Sequence, residues 1–463
     1  MLIPRAGTMS VIVTLALLAS PALAEDHSEY VEGPFESGPE VTETCLFCHD
    51  DAEEVMQSTH WTWAQPRDGD GGELHGKINA FNNFCIAVSS NWPRCTSCHA
   101  GYGWEDASFD FDDPNNVDCL VCHDRSGTYR KDPAGAGAPA DDVDLTVAAQ
   151  SVGGPPTKKA CGNCHFYGGG GDHVKHGDLD SSLLDASYEF DVHMSADAMD
   201  FSCQDCHTTE DHQIAGNALA VSPDHGNAIS CLDCHGSEPH EGRLLNQHQR
   251  VACQTCHIPA FAKGRPTKVH WDWSEAGQDL PEQTDEYGLP TYSKKKGRFV
   301  WDKNVEPTYA WYDGTASVYA LGETFDPAEP LVLAAPNGSV DDPDAKIHPF
   351  KVHTGRQIYD RERNVLIVPK LYGDGGYWED FDWAKAAELG MASVDQPFSG
   401  DYGFADTKMY WRLNHMIVPG ELALQCRDCH ARGESLDWQA LGYEGDPIRT
   451  RRSENIVDPD ESR

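Results

Sequence analysis

Only one run of the 463-residue chain is continuously apolar, "MSVIVTLALLAS" at 9–20. Arg5 is the sole charge ahead of it, and "ALA" at 22–24 precedes Glu25. A basic start, a short apolar stretch and a small-x-small site predict an export signal cleaved after Ala24, which leaves 25–463 as a single catalytic domain in the periplasm. The run is shorter than the roughly 20 apolar residues that a bilayer span needs. No later segment reaches that length, so no membrane span is expected. Elsewhere the hydrophobic positions are scattered. One clear period lies at 381–392, where Phe381, Ala384, Ala387 and Leu389 recur near 3.6 residues and predict a helix. "AGAGAPADD" at 134–142 predicts a loop, and "DPDESR" at 458–463 a disordered tail.

A cysteine repeat stands where hydrophobic periodicity would be. Sixteen of the 17 cysteines fall in C-x-x-C pairs: Cys45/Cys48, Cys95/Cys98, Cys119/Cys122, Cys161/Cys164, Cys203/Cys206, Cys231/Cys234, Cys253/Cys256 and Cys426/Cys429. Zinc ribbons also use C-x-x-C, but zinc gives no reason for histidine to follow every pair. Here it does: His49, His99, His123, His165, His207, His235, His257 and His430. Covalent haem attachment explains both parts, because two thiolates join the haem vinyl groups and the next imidazole reaches the iron. Eight haem c groups are expected. They leave about 55 residues each, too few for a conventional core around every one. The expected fold is mainly α: short helices and long loops wrapped around a stack of eight covalent haems, with little β. Four sites crowd between Cys161 and His257, and none lies in 258–425.

An iron that only carries electrons is best held by two protein ligands, since unchanged ligation keeps reorganisation small. Fourteen histidines lie outside the motifs, more than background use requires. His60, His176, His193, His212, His240, His248, His353 and His415 are the distal candidates, several of them beside apolar or aromatic residues. His27, His75, His173, His225, His270 and His348 lie in polar or turn-rich text and are expected to be solvated. The formal charge of −40 excludes nucleic acid as a partner, because phosphate binding needs basic surface. It also requires a local basic patch for any anionic substrate. The acidic run "FDFDDPNN" at 109–116 offers oxygen ligands for calcium, although solvated acid is the commoner explanation of such runs.

The text "NNFCIAVSSNWPRCTSCHAGYGW", "VDCLVCHD", "CGNCHFYGGGGDHVKHGDLD", "VACQTCHIP" and "DTKMYWRLNHM" resembles the octahaem tetrathionate reductase family across essentially the whole mature chain. The resemblance implies seven haems with two histidine ligands and one, the second in sequence, with a distal lysine. An aspartate and a lone cysteine stand near that lysine. The matching residues are His99, Lys175, Asp172 and Cys85. No CxxCK occurs, which departs from the pentahaem nitrite reductases of the wider superfamily.

Residues 168–178, "GGGGDHVKHGD", make chemical sense by themselves as well. An exchangeable ligand should bind less firmly than imidazole, and a lysine does so when its amine is neutral. Glycines let the backbone approach a ring closely. Asp172, three residues before Lys175, would share its face in a helix and could hold the amine or relay a proton. The bland alternative is a solvated polar loop. Lys158 and Lys159 are rivals, but they abut Cys161. Cys85, the odd cysteine, is either buried and inert, linked between chains, or a thiol able to attack a sulfur–sulfur bond. The expected activity is a reductase for a small sulfur or nitrogen oxyanion, supplied by a periplasmic or membrane-associated electron donor. The alternatives are a pure electron carrier or a hydroxylamine-oxidising enzyme.

Overall fold

The computed structural model describes residues 27–66, 74–84, 87–222, 228–241, 249–430 and 436–449. The expected signal, Cys85, His225, His248 and the tail from 458 lie outside the described residues. No described helix is long and apolar enough to cross a membrane.

The motif-rich half follows expectation. Motifs lie on or beside single helical turns such as Leu120–His123, Lys158–His165, Leu232–His235, Cys253–His257 and Cys426–His430. One turn suffices, because residues i, i+3 and i+4 share a helix face, so both thiols and the imidazole point the same way. Loops connect these turns, and 134–142 is one of them, with Ala136 and Gly137 at positive φ.

The motif-free half corrects the mainly α expectation. It folds as a nine-stranded sheet: β1 (Thr267–Asp272), β2 (Tyr292–Ser293), β3 (Gly297–Asp302), β4 (Thr308–Tyr312), β5 (Ala316–Val318), β6 (Leu331–Pro336), β7 (Lys346–Asp360), β8 (Val365–Leu366) and β9 (Tyr402–Arg412). The spatial order is β2-β3-β1-β7-β9-β6-β5, and β4 and β8 pair with the two ends of β7. β7 and β9 run antiparallel from Phe350↔Arg412 to Asp360↔Tyr402, and β1 lies parallel to β7 on its other side. Along β9 burial alternates: Gly403, Ala405, Thr407, Met409 and Trp411 are buried while their neighbours are less so. Both faces carry apolar residues there, with Tyr402, Phe404 and Tyr410 on the outer one. That is why no two-residue period shows in the text.

The largest core cluster is built on this sheet, with Trp271, Trp273, Phe350, Ile358 and Met409 among its members. A helix at Trp383–Ala392, started by Asp382 accepting from Lys385 N, packs on it through Trp383, Ala386, Ala387, Gly390 and Met391. The helix was legible, but its buried face is not the expected one. Ala384 is exposed, and Leu389 is 38% exposed.

Candidate haem and substrate site

Two imidazoles on opposite sides of one metal, each bonded through nitrogen at about 2 Å, place their ring centres roughly 6.3 Å apart. Six motif histidines meet a second imidazole at that separation. The pairs are His49–His27 at 6.3 Å, His165–His60 at 6.0 Å and His123–His212 at 6.5 Å. The others are His235–His193 at 5.9 Å, His207–His415 at 6.3 Å and His257–His240 at 6.2 Å. Several turn Nδ1 to an acceptor, which leaves Nε2 for a metal. His207 Nδ1 meets Ala215 O at 2.8 Å, His257 Nδ1 meets Val418 O at 3.1 Å, and His430 Nδ1 meets Asp446 Oδ1 at 2.8 Å. On the distal side His212 Nδ1 meets Glu54 Oε2 at 2.8 Å, and His415 Nδ1 meets Asp178 Oδ2 at 3.2 Å. These donor sets fit haem iron.

The structure thus brings His60, His193, His212, His240 and His415 to motif histidines. It also corrects three expectations. His27, expected to be solvated, faces His49. His176 lies against Trp411 at 5.5 Å, and His353 on Phe84 at 4.0 Å. Neither opposes a motif imidazole among the described residues. Distal ligands were sought beside apolar residues, whereas a ligand's apolar company is the haem itself.

Thiols of different motifs also touch, which no local pattern announces. Cys45 hydrogen-bonds with Cys119, Cys98 with Cys164, Cys161 with Cys203, and Cys231 with Cys253. Cys206 and Cys234, and Cys256 and Cys426, are close enough to interact electrostatically. The fourth to eighth motifs therefore form a row, and the second joins it at the fourth.

Cys48 and Cys429 differ in their surroundings. They are the second cysteines of the first and last motifs. Cys48 is exposed, next to a Phe47 that is 82% exposed, so the protein leaves this thiol open on its turn. Cys429 is partly buried and packs on a protein cluster that includes Tyr309, Trp311 and Trp438. Its carbonyl accepts from Trp438 Nε1 at 3.2 Å, which fixes that indole over the motif.

His99 differs from the rest. It is wholly buried among Trp61, Trp63, Trp104, Phe109 and Phe111, and no second imidazole faces it among the described residues. Its Nε2 lies 2.7 Å from Trp61 O. Burial holds the ring down to about 3, below the ordinary imidazole range, with Lys131 and Lys77 adding to the effect.

The segment after the fourth motif packs against Phe84 and β9. It is a series of turns rather than a helix, so Asp172 and Lys175 do not share a helix face. Gly169 has φ +79°, and a Cβ there would lie 3.2 Å from both Lys175 Cβ and Phe84 Cδ1. The glycine thus serves close approach, and it brings the segment against the neighbour of Cys85. Lys175 Nζ lies 4.6 Å from the centre of the Trp411 ring. Asp172 accepts from Ser181 N at 3.0 Å and from Ser181 Oγ, and sits 3.4 Å from Arg265 Nε. Lys351, on β7, has a buried Nζ that donates to Val174 O at 3.3 Å, Lys175 O at 2.8 Å and Thr267 Oγ1 at 2.6 Å. At 109–116, Asp113 accepts from Asn115 N at 3.0 Å. No group of three or more metal-ligating side chains occurs among the described residues.

Covalent attachment motifs at helical turns, opposed imidazoles and touching thiols define a multihaem c-type cytochrome with redox function. The comparisons agree. Residues 268–433 match the bacterial cytochrome c family. The crystal structure of octahaem cytochrome c from Shewanella oneidensis is 54% identical in sequence and has a TM-score of 0.88, over 93% of this chain and 99% of that one. An uncharacterized protein of Archaeoglobus fulgidus is 26% identical over 275 residues, 45% of this chain and 92% of its own. The chain belongs to the octahaem cytochrome c family.

Proposed function

We propose that the chain, exported to the periplasm with its signal removed after Ala24, carries eight haem c groups and reduces tetrathionate, and also nitrite or hydroxylamine, at the haem held by Cys95, Cys98 and His99. One observation carries this reading: six motif histidines face a second imidazole and His99 does not. His430 stacks on Trp438 instead, and the distal candidate His248 lies outside the described residues. A pure carrier would need a permanent second ligand at every iron, and the surroundings of His99 are all tryptophan and phenylalanine.

The haems supply one-electron transfer. The chain's own residues do the rest. Lys175, on a segment that glycines allow to lie close, would hold the iron through its neutral amine and, once released and protonated from solvent, would hand that proton to substrate. Asp172, tied to Ser181 and Arg265, holds the charge balance of that segment. Cys85, which lies outside the described residues, is the thiol that this reading assigns to a sulfur substrate. Tetrathionate takes two electrons and splits into two thiosulfates without consuming protons, whereas nitrite and hydroxylamine consume them.

Lys175→Ala tests the assignment. One iron of the resting holoprotein should become high-spin and bind cyanide without a lag, with the remaining low-spin signals unchanged and turnover reduced. Unchanged spectra and unchanged turnover would reduce the glycine-rich segment to a surface loop.

A further inference from the structure

Two of the opposed imidazoles are held by the same buried carboxylate. His193 faces His235 and His415 faces His207, from turns that lie far apart in the chain. Asp191, 2% exposed, binds both turns. Its Oδ1 accepts from His193 N at 3.0 Å and Met194 N at 3.1 Å. Its Oδ2 accepts from Met416 N at 2.8 Å and Ile417 N at 3.2 Å. Lys263 joins the same two segments through their carbonyls. Its Nζ donates to Phe190 O at 2.5 Å, Met416 O at 3.1 Å and Glu189 O at 3.3 Å. Val192 N adds a direct bond to Ile417 O at 2.9 Å. An acid takes the N–H groups and a lysine takes the carbonyls, so the two turns form one cross-linked body.

The residue that follows His415 shows what this cross-link holds. Met416 is 0% exposed and has φ +63°, a region that few residues other than glycine adopt. Such a backbone persists where its surroundings over-determine it. Here they do, because Asp191 binds the N–H of Met416 and Lys263 its carbonyl. Groups behind a metal ligand orient its ring and tune the metal. We propose that Asp191 and Lys263 are positioning residues that set the distal imidazoles of the haems on His207 and His235 as one unit. The two motifs are neighbours, and Asp191 is close enough to Cys206 to act on it electrostatically, as Cys234 is. A carboxylate charge buried there bears on both irons and favours the ferric state of each. His415 has a second support, since Asp178 accepts from its N at 3.0 Å and its Nδ1 at 3.2 Å, so the His193 turn depends on Asp191 the more. The inference rests on the two imidazole pairs and holds for a reductase and a carrier alike.

Redox titration of the holoprotein, followed by electron paramagnetic resonance, decides it. His193→Ala and His415→Ala serve as references: each should turn a different haem high-spin and so identify the signals of the two haems. If neither loses a low-spin signal, the ligand pairs fail and the proposal falls with them. Asp191→Asn keeps the shape and one accepting oxygen but removes the charge, so the variant should still fold. It should shift the reduction equilibria of both identified haems toward the ferrous form by about tenfold, or about 59 mV for one electron. The other haems should move less than threefold. Asp191→Ala should broaden the low-spin signals of both haems, that of the haem on His235 the more. A shift confined to one of the two haems, an equal shift at all haems, or wild-type equilibria with only a lowered unfolding midpoint would each overturn the shared role. Should Asp191→Ala not accumulate as holoprotein, Asp191→Asn alone carries the decision.

Discussion

Replacing Lys351 with methionine should separate the stability of the whole protein from the placement of Lys175. Lys351 is 0% exposed, and its three acceptors match the three N–H donors of an ammonium. Burial pushes the group well below the ordinary lysine range, with Asp178 opposing that shift. An ammonium at this position carries a desolvation cost of several kcal/mol. Methionine removes that cost and fills a similar unbranched volume. It also leaves two buried carbonyls, Val174 O and Lys175 O, without this donor, at about 1–3 kcal/mol each. For the fold as a whole the two effects oppose, and the net change should stay within about 2 kcal/mol. At 174–175 nothing opposes the loss of the tether. A local loss of about 2 kcal/mol lowers the population of the tethered segment roughly 30-fold. Denaturant unfolding should show a midpoint close to wild type, and stopped-flow cyanide binding should be at least tenfold faster at one haem. Wild-type cyanide kinetics with wild-type turnover would refute the tether. A collapse of the midpoint would refute the claim that the buried charge offsets its own hydrogen bonds.

His27→Ala should convert one haem from low-spin to high-spin in electron paramagnetic resonance, because its ring centre lies 6.3 Å from that of His49, whereas His176→Ala should leave the low-spin count unchanged. Asp360→Asn should destabilise the sheet by about 2 kcal/mol at neutral pH, since the buried carboxylate accepts from Glu362 N, Arg363 N, Ser399 N and Ser399 Oγ. Burial alone would raise the Asp360 carboxyl, and these donors hold it below the usual range instead. A depressed folded value gives stability that is present above about pH 3.9 and lost as pH falls through the folded value, so thermal melts of variant and wild type should converge in acid.

The haem-bearing half was legible because its signal is local. Each motif spans one helical turn, and one turn is all that thiol and imidazole placement requires. What surrounds each thiol was not legible: identical motif text leaves Cys48 exposed and packs Cys429 on Trp438. Distal ligands were legible only in part. His60, flanked by tryptophan, was found by its neighbours, but His27 sits in polar text, and nothing in "EDHSEY" announces His49 across a haem. The sheet was hidden for a different reason. On β9 the inner positions include Gly403 and Thr407, while Tyr402, Phe404 and Tyr410 occupy the outer ones, so the contrast between faces that marks a strand is absent. His353 was sought as a distal ligand, and it is buried on β7 two residues from the equally buried Lys351.

That arrangement gives the sheet a mechanical reason to be where it is. Around most motifs the apolar interior is the haems themselves, and the protein contributes short turns whose position depends on covalent attachment. A site with an exchangeable ligand needs the reverse: one segment able to move and a frame that does not move with it. The movable part is 168–178, where Gly169 and Gly170 have positive φ. The frame is the β7–β9 pair, continuous over eleven residue pairs from Phe350↔Arg412 to Asp360↔Tyr402. From one face of β7, Lys351 holds the backbone of Lys175, His353 O fixes Asn83, and Gln357 Nε2 donates to Asn82 O at 3.1 Å. The backbone of Lys175 and the Asn82–Asn83 pair are thus registered against a single strand.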